Sequence, residues 1–129
     1  MPQKLTFSLD HEYELKNDGS DITCDVILGD IGQSPDTSVK LNTKKLLTNH
    51  KQSINDLVVG NDNDLDGKVL RINGNIADTS KDTDKINLRL RVNGGVENIN
   101  KQFSVTVEQE GEVVVFSLVV RFFCMNSKR

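Results

Sequence analysis

The 129-residue sequence contains no tryptophan, one tyrosine and five phenylalanines, and only two of its residues are cysteines. With so few aromatic rings, most of the core volume must come from valine, isoleucine and leucine, and the β-branched members of that set favour the pleated surface of a sheet. Cys24 and Cys124 are too few for a disulfide framework, so we expect two buried, unbridged thiols. The composition therefore excludes a disulfide-stabilised scaffold and favours a β-sheet fold.

Long apolar runs are also missing, and the densest basic stretches, residues 40–51 and 128–129, are interpreted as a solvated strand edge and a solubilising tail. No apolar run approaches the roughly 20 residues that cross a bilayer, and no signal-like apolar block follows Met1. We expect a cytoplasmic protein for the sequence as written, or a secreted one if a signal peptide has been removed. The formal net charge of −3 argues against non-specific attraction to a polyanionic backbone, which depends on clustered lysine and arginine. We expect neither a membrane nor a nucleic acid as partner.

The residues that usually carry catalysis are scarce. His11 and His50 are the only histidines, and neither has a second histidine at a metal-ligand spacing. The sequence has no nucleophile elbow, no phosphate-binding glycine loop and no dinucleotide-binding glycine motif. His11 falls on the inward side of an alternating strand and is interpreted as a core or rim imidazole, while Cys24 shares the inward phase of Ile22 and Val26 and is interpreted as core. The sequence therefore predicts a protein that is not an enzyme and has no catalytic residues.

A carboxylate enzyme is the alternative that these absences leave open. Pairs of carboxylates that cleave glycosidic bonds meet in space across strands, so their spacing along the chain neither identifies nor excludes them. The candidates are Glu12, Glu14, Glu108, Glu110 and Glu112. Ordinary solvation beside turns or on the polar side of strands explains these positions better.

The first third of the chain shows the clearest alternation of apolar and polar residues. It runs from Leu5 to Leu15 and predicts a strand with one buried face. Asn17-Asp18-Gly19 follows, and these residue types tolerate the positive φ angles of a tight hairpin. A second alternating segment covers residues 22–28. The first two strands are therefore predicted to form an antiparallel meander.

The middle of the chain is less regular. Residues 29–38 are rich in turn formers and are predicted to be a loop, and a short strand is expected at residues 39–41. Between residues 44 and 59 the alternation weakens. Apolar side chains within residues 54–58 recur at helical spacing behind a capping Ser53, which predicts a single helical turn.

The second half returns to alternation. Apolar residues at every second position predict strands at residues 70–76, 86–92 and 103–107, and a final strand at residues 113–123. The final strand is almost entirely apolar, so it is predicted to lie at the centre of a sheet, covered on both faces. One of its faces is still distinct and comprises Val114, Phe116, Leu118, Val120 and Phe122.

These segments give roughly seven to nine short strands separated by turns, with at most one short helical turn. We predict an all-β fold, a single antiparallel β-sandwich of the immunoglobulin-like or jelly-roll-like kind. The chain has the length of one domain, so residues 1–129 are predicted to form a single β-sandwich domain. Residues 125–129 are expected to be a short basic C-terminal tail.

Residues 61–67 are the most obvious loop of the chain and are strongly acidic. Residues 62–67, Asp-Asn-Asp-Leu-Asp-Gly, resemble the first half of an EF-hand calcium loop. The resemblance covers about six residues, because the twelfth position is Asn73, where such a loop has a bidentate glutamate. The EF-hand fold is therefore not implied.

Calcium is the only cofactor that the sequence suggests, and it takes about six to eight oxygen ligands. The candidate metal ligands are Asp62, Asp64 and Asp66. Other oxygens would have to complete the coordination shell, for example from Asp78, Asp82 or Asp84 in a neighbouring turn. The alternative is a solvated acidic turn, because aspartate, asparagine and glycine are common turn residues.

The leading functional prediction is a non-enzymatic β-sandwich interaction or structural module that acts through a protein partner or self-association, as a subunit of a larger assembly. Its positive support is the long apolar final strand, because sheet edges readily pair with another chain. An oligomer is compatible with this prediction. The alternative is a calcium-dependent ligand- or carbohydrate-binding module that uses the acidic loop 61–67, although few aromatic rings are available to stack on sugars.

Overall fold

The computed structural model describes residues 5–28, 33–78, 85–106 and 113–125. These residues form nine β-strands and one short 3-10 turn and include no α-helix, so the predicted all-β class is confirmed. Numbered along the chain, the strands are β1 (Leu5–Glu14), β2 (Asp21–Leu28), β3 (Gln33–Leu41), β4 (Lys44–His50), β5 (Ile54–Asn61), β6 (Val69–Asp78), β7 (Lys85–Asn93), β8 (Ile99–Thr106) and β9 (Val113–Phe123). The 3-10 turn, Asp62–Asp64, follows β5 directly.

The strands form two sheets. One has five strands in the order β1-β9-β6-β3-β4, and the other has four in the order β5-β2-β7-β8. The described pairings are antiparallel except that β1 and β9 run parallel, from Leu5 opposite Val114 to Glu14 opposite Phe123. The prediction of purely antiparallel pairing is therefore wrong at β1. The reason is that the first strand pairs with the last one instead of with its neighbour in the sequence.

The turn after β1 carries the chain from one sheet to the other. Asn17 and Gly19 have φ angles of 61° and 83°, as their residue types predict for a tight turn. β2, however, joins the four-stranded sheet between β5 and β7. The predicted meander of β1 and β2 is therefore wrong, because a turn signal indicates where the chain bends and leaves the pairing partner open.

The predicted loop at residues 29–38 is only partly a loop, because β3 begins at Gln33. Pro35 lies inside this strand although it has no N–H to donate. The strand tolerates it because β4 pairs with β3 only from Thr37 onwards, so Pro35 is paired on one side alone.

The predicted helical turn at residues 53–58 is also wrong, since residues 54–58 belong to β5. The alternation of β5 is interrupted at Asp56, which has a φ of 54°. The backbone N–H of Asp56 donates to Oδ1 of Asp25 on β2 at 2.6 Å, and this bond holds the irregular residue in place. The irregular residue shifts the positions of the apolar side chains in this strand, so their spacing resembles that of a helix.

The apolar faces of the two sheets form one buried core. β9 lies centrally between β1 and β6, and every second residue from Val114 to Phe122 is buried, as predicted. A fully buried side chain of this size stabilises the fold by about 1.5–3 kcal/mol relative to an exposed one. The opposite face of β9 is half-buried or exposed, with Ser117 and Arg121 exposed, so the predicted covering of both faces is wrong.

Both cysteines are free thiols, as predicted, but only Cys24 is buried, and Cys124 is half-buried. His11 has the predicted inward phase, opposite the buried Val120, yet it is exposed because β1 is an outermost strand. The basic tail beyond Met125 lies outside the described residues. Within the described ranges, no helix has the length and apolar character that a membrane crossing requires.

Candidate functional site

Asp62 in the acidic loop is a buried structural group. Only 2% of its surface is exposed, and its carboxylate accepts the backbone N–H groups of Asp18 at 3.1 Å and of Gly19 at 2.9 Å. The backbone N–H of Asp62 also donates to the carbonyl of Ser20 at 2.9 Å. These bonds join the turn after β1 to the turn after β5.

Asp64 and Asp66 do not share this environment. Asp64 is exposed, and Asp66 is half-buried with Oδ1 accepting the backbone N–H of Cys124 at 3.0 Å. Within the described ranges, no three histidine, cysteine, aspartate or glutamate side chains are grouped so that they could hold a metal ion. Of the additional oxygen ligands considered, Asp82 and Asp84 lie outside those ranges, and Asp78 ends β6 with a side chain that is not among the described ones. The calcium site stays a prediction.

The outer edge of β1 is the candidate site. β1 stands first in the five-stranded sheet, and no described strand pairs with its outer side. Its pairing with β9 is regular along the whole strand, without a register shift. β1 also contains no lysine, proline or glycine. Bulges, edge lysines and prolines are the features by which many sheet edges resist pairing with another chain.

Two hydrogen bonds at the end of β1 indicate which of its backbone groups point outwards. The N–H of Leu15 donates to the carbonyl of Phe123, on the β9 side, and the carbonyl of Glu14 accepts the N–H of Val96 from the other side. The backbone groups of successive residues in a strand point alternately to its two sides. Four residues therefore direct their N–H and C=O groups away from β9: Thr6, Ser8, Asp10 and Glu12.

The other three edge strands each carry a feature that opposes pairing. β4 begins with Lys44 and Lys45 and has an irregular register with β3. β5 is interrupted at Asp56. β8 is regular, but Lys101 has the inward phase opposite the buried Leu90, and an inward-pointing charge protects an edge. Among the described edge strands, β1 is the one that combines a regular register with the absence of lysine; its charged side chains are the carboxylates of Asp10, Glu12 and Glu14.

A cleft of about 330 Å³ lies at the C-terminal end of the β1 edge. Its residues come from β1, from the segment after β7 and from the end of β9. They are His11, Glu12, Tyr13, Glu14, Val96, Glu97 and Phe123. The apolar Val96 is 50% exposed, so the cleft combines an apolar surface with carboxylates. The other predicted carboxylate candidates, Glu108, Glu110 and Glu112, lie outside the described residues.

Tyr13 fixes the geometry of this cleft. Its buried hydroxyl donates to the carbonyl of Val92 at 3.2 Å and accepts the N–H of Gly95 at 2.9 Å. Burial raises the pKa of Tyr13, and the hydrogen bond from Gly95 opposes this shift. A Cβ atom at position 95 would approach the Tyr13 ring to 2.5 Å, so this contact requires glycine. Tyr13 thereby ties β1 to the segment that follows β7.

The charges along this edge are mainly negative. Oδ1 of Asp10 lies 2.8 Å from Nε of Arg121, and this hydrogen bond lowers the pKa of Asp10. The pair is exposed, so it adds little to stability. Glu12, Glu14 and Glu97 form no ion pair within the described part of the chain. Four carboxylates outnumber the two arginines that act on Asp10, Arg121 and the more distant Arg71, so this edge has net negative charge.

No protein-family model matches the chain, and no curated protein or solved structure matches it either. Function therefore has to be inferred from the geometry of the chain itself.

Sequence reasoning did not identify this site. The pattern Asn93-Gly94-Gly95 predicts the end of a strand, and nothing local indicates that Gly95 packs on Tyr13, which is 82 residues away. The available signal was the composition of β1, which has no lysine, proline or glycine. That signal becomes informative only once the strand order shows that β1 is an edge.

Proposed function

We propose that the chain is a non-enzymatic β-sandwich interaction module that binds an extended segment of a partner protein along the outer edge of β1. The observation that carries the proposal is the outward direction of four pairs of backbone groups, from Thr6 to Glu12, on a regular edge with no described partner strand. The sandwich description is supported by the buried core that the two sheets share. The narrower immunoglobulin-like and jelly-roll-like assignments stay predictions.

Strand addition would satisfy these outward backbone groups. Each residue offers one donor and one acceptor, so a partner strand can form up to about eight hydrogen bonds with the edge. At roughly 1 kcal/mol net per bond, a gain of about 8 kcal/mol is offset by at least about 4 kcal/mol of lost translational and rotational freedom. At most about 4 kcal/mol remains, so we expect a Kd of about 1 mM or weaker unless side chains add affinity.

Two copies of this chain are poorly suited to pair through the same edge. A symmetric contact would bring two identical β1 strands together, each with the carboxylates of Asp10, Glu12 and Glu14 on one face. Like charges on neighbouring strands are destabilising. A different protein is therefore the favoured partner. This chain would be a subunit of a larger assembly if that partner protein is part of one.

An NMR titration of the full chain tests the proposal. The probe is a peptide of about eight alternating threonine and valine residues, long enough to cover the open edge. We expect its addition to shift the amide signals of β1. Ser8→Pro removes one outward N–H without removing a bond to β9, so it should abolish or strongly reduce the shifts. Ser8→Ala is the matched control and should bind like the original chain.

A peptide N-methylated at every residue gives a control that does not depend on a variant's folding. It keeps its carbonyl acceptors but loses the N–H donors of half the expected hydrogen bonds, so it should shift the β1 amide signals far less than the unmethylated peptide does. Shifts concentrated on β8 or on residues 61–67 would contradict the proposal. Equal binding by Ser8→Pro and Ser8→Ala would contradict it as well.

Calcium-dependent binding through residues 61–67 stays the alternative prediction. The Asp62 carboxylate already accepts hydrogen bonds from two backbone N–H groups, and these bonds do not support a role for Asp62 as a calcium ligand. A thermal melt with millimolar calcium or with a chelator tests it. If calcium raises Tm in the original chain and does not raise it in Asp64→Asn, a metal site is established. The reason is that a ligand that binds only the folded state stabilises the folded state. Identical melts would end the hypothesis.

A further inference from the structure

We propose that the partner segment carries lysine or arginine at alternate positions, so that a row of basic side chains faces the carboxylates of β1. This inference rests on the proposed strand addition and names the chemistry of the partner that the edge would accept.

The carboxylates of β1 form a row because side chains alternate along a strand. Asp10, Glu12 and Glu14 are even-numbered residues of β1, and they share one face of the sheet with Arg121 and Phe123 of β9. A partner strand beside β1 would direct every second side chain to that same face. The Cβ atoms of directly opposed residues would lie about 4.5–5.5 Å apart, which is within reach of an ion pair.

Arg121 leaves most of this negative charge available. Its guanidinium binds Asp10 through Nε at 2.8 Å and through Nη2 at 3.2 Å. The pKa of Arg121 is raised mainly by Asp10 and less by Glu12. A partner's basic side chain can therefore pair with Glu12 without displacing an existing ion pair.

The cleft marks the position along β1 where an added partner strand would end. The N–H of Val96 bonds to the carbonyl of Glu14 at 3.0 Å and occupies the edge there, so an added strand ends beside Glu12. At that point the charged end of a lysine or arginine would meet Glu12 and Glu97 in the cleft. Its methylene groups would cover the exposed side chain of Val96. An acidic segment would meet only repulsion there.

Three peptides of equal length test this inference by NMR titration of the full chain. Each has valine at every second position, and the intervening residues are lysine, threonine or glutamate. At low ionic strength we expect the lysine peptide to bind about tenfold more tightly than the glutamate peptide, with the threonine peptide between them. High salt should reduce the difference, because these charges are exposed.

The possible outcomes separate this inference from the proposed function. Equal affinities of the three peptides, or tighter binding of the glutamate peptide, would overturn the basic-partner inference and leave strand addition standing. If no peptide shifts the β1 amide signals, strand addition itself is wrong.

Variants of the carboxylates locate the effect. The double variant Glu12→Gln with Glu97→Gln should weaken binding of the lysine peptide about three- to tenfold, since an exposed ion pair changes affinity about two- to fivefold. Its affinity for the threonine peptide should not change. Asp64→Asn removes an exposed carboxylate elsewhere and should affect neither peptide. Unchanged binding of the lysine peptide by the double variant would overturn the role of the cleft.

Discussion

The carboxylate of Asp62 accepts the backbone N–H of Gly19 at 2.9 Å, across 43 residues of sequence. A second N–H, from Asp18, reaches the other carboxylate oxygen at 3.1 Å, and the side-chain amide of Asn61 donates to the carbonyl of Gly19 at 2.7 Å. The turn that sends the chain from one sheet to the other is thus fastened to the turn after β5. The acidic loop therefore has a structural role in the fold, independent of any ligand.

Asp62→Asn should destabilise the fold by about 1–3 kcal/mol. The amide of asparagine replaces one acceptor oxygen with a donor, so one of the two N–H groups loses its partner. Urea unfolding measures the change. Asp64→Asn alters an exposed residue of the same loop and should change stability by less than about 0.5 kcal/mol. Equal effects of the two variants would contradict the structural role of Asp62.

Tyr13→Phe should cost about 1–3 kcal/mol of stability. The substitution keeps the ring, which packs edge-on against Phe122 with centroids 5.9 Å apart, and removes only the hydroxyl. The carbonyl of Val92 and the N–H of Gly95 then lose a buried partner. Amide exchange should also become faster at Gly95. Stability equal to that of the original chain would show that the hydroxyl does not hold the cleft together.

Thr37→Val should stabilise the fold by about 1 kcal/mol. Thr37 is fully buried on β3, and its hydroxyl has no hydrogen-bond partner within the described part of the chain. Valine has nearly the same shape and removes the cost of burying an unpaired polar group. Thr37→Ser is the control: it keeps the hydroxyl, loses a methyl group and should be less stable. A loss of stability in Thr37→Val would indicate that the hydroxyl does form a bond.

Stability should fall at alkaline pH because of Cys24. Burial, and to a lesser degree the charge of Asp25, raises the pKa of the Cys24 thiol from 9.0 to about 12. Between these values the unfolded chain has lost a proton that the folded chain retains, so raising the pH favours unfolding. The expected slope is about 1.4 kcal/mol per pH unit.

Urea unfolding from pH 8 upwards, compared with Cys24→Ala, isolates this contribution. Tyr13 and the other titrating groups remain in both proteins, so their effects cancel in the difference. The difference in stability between the two chains should be constant below about pH 9 and should shrink above it. A constant difference throughout would show that Cys24 is not protected from ionisation in the folded chain.

The sequence predicts which side chains of a strand face the core, but it does not predict several of the pairings between strands. A half-buried strand must alternate, so the buried face of β9 follows from its pattern. The parallel pairing of β1 with β9 joins Leu5 to Val114, and no local signal specifies a contact over that separation. For the same reason, β5 could not be recognised as a strand, since the bond that holds Asp56 comes from Asp25.

The candidate site depends on the same long-range information. The composition of β1 is visible in the sequence, whereas its position at an edge follows from the strand order. The acidic loop shows the converse case. Its residues suggested a ligand site, and the structure places the most deeply buried of them, Asp62, in a hydrogen-bonded junction between two turns.

Residue-by-residue amide hydrogen exchange along β1 of the free chain tests the central claim, an open edge, most directly. We predict alternation: Thr6, Ser8, Asp10 and Glu12 should exchange rapidly, because their N–H groups point away from β9. Phe7, Leu9, His11 and Tyr13 should be protected, because theirs point towards it. Uniform protection along the strand, or alternation in the opposite phase, would contradict the open edge and the strand addition built on it.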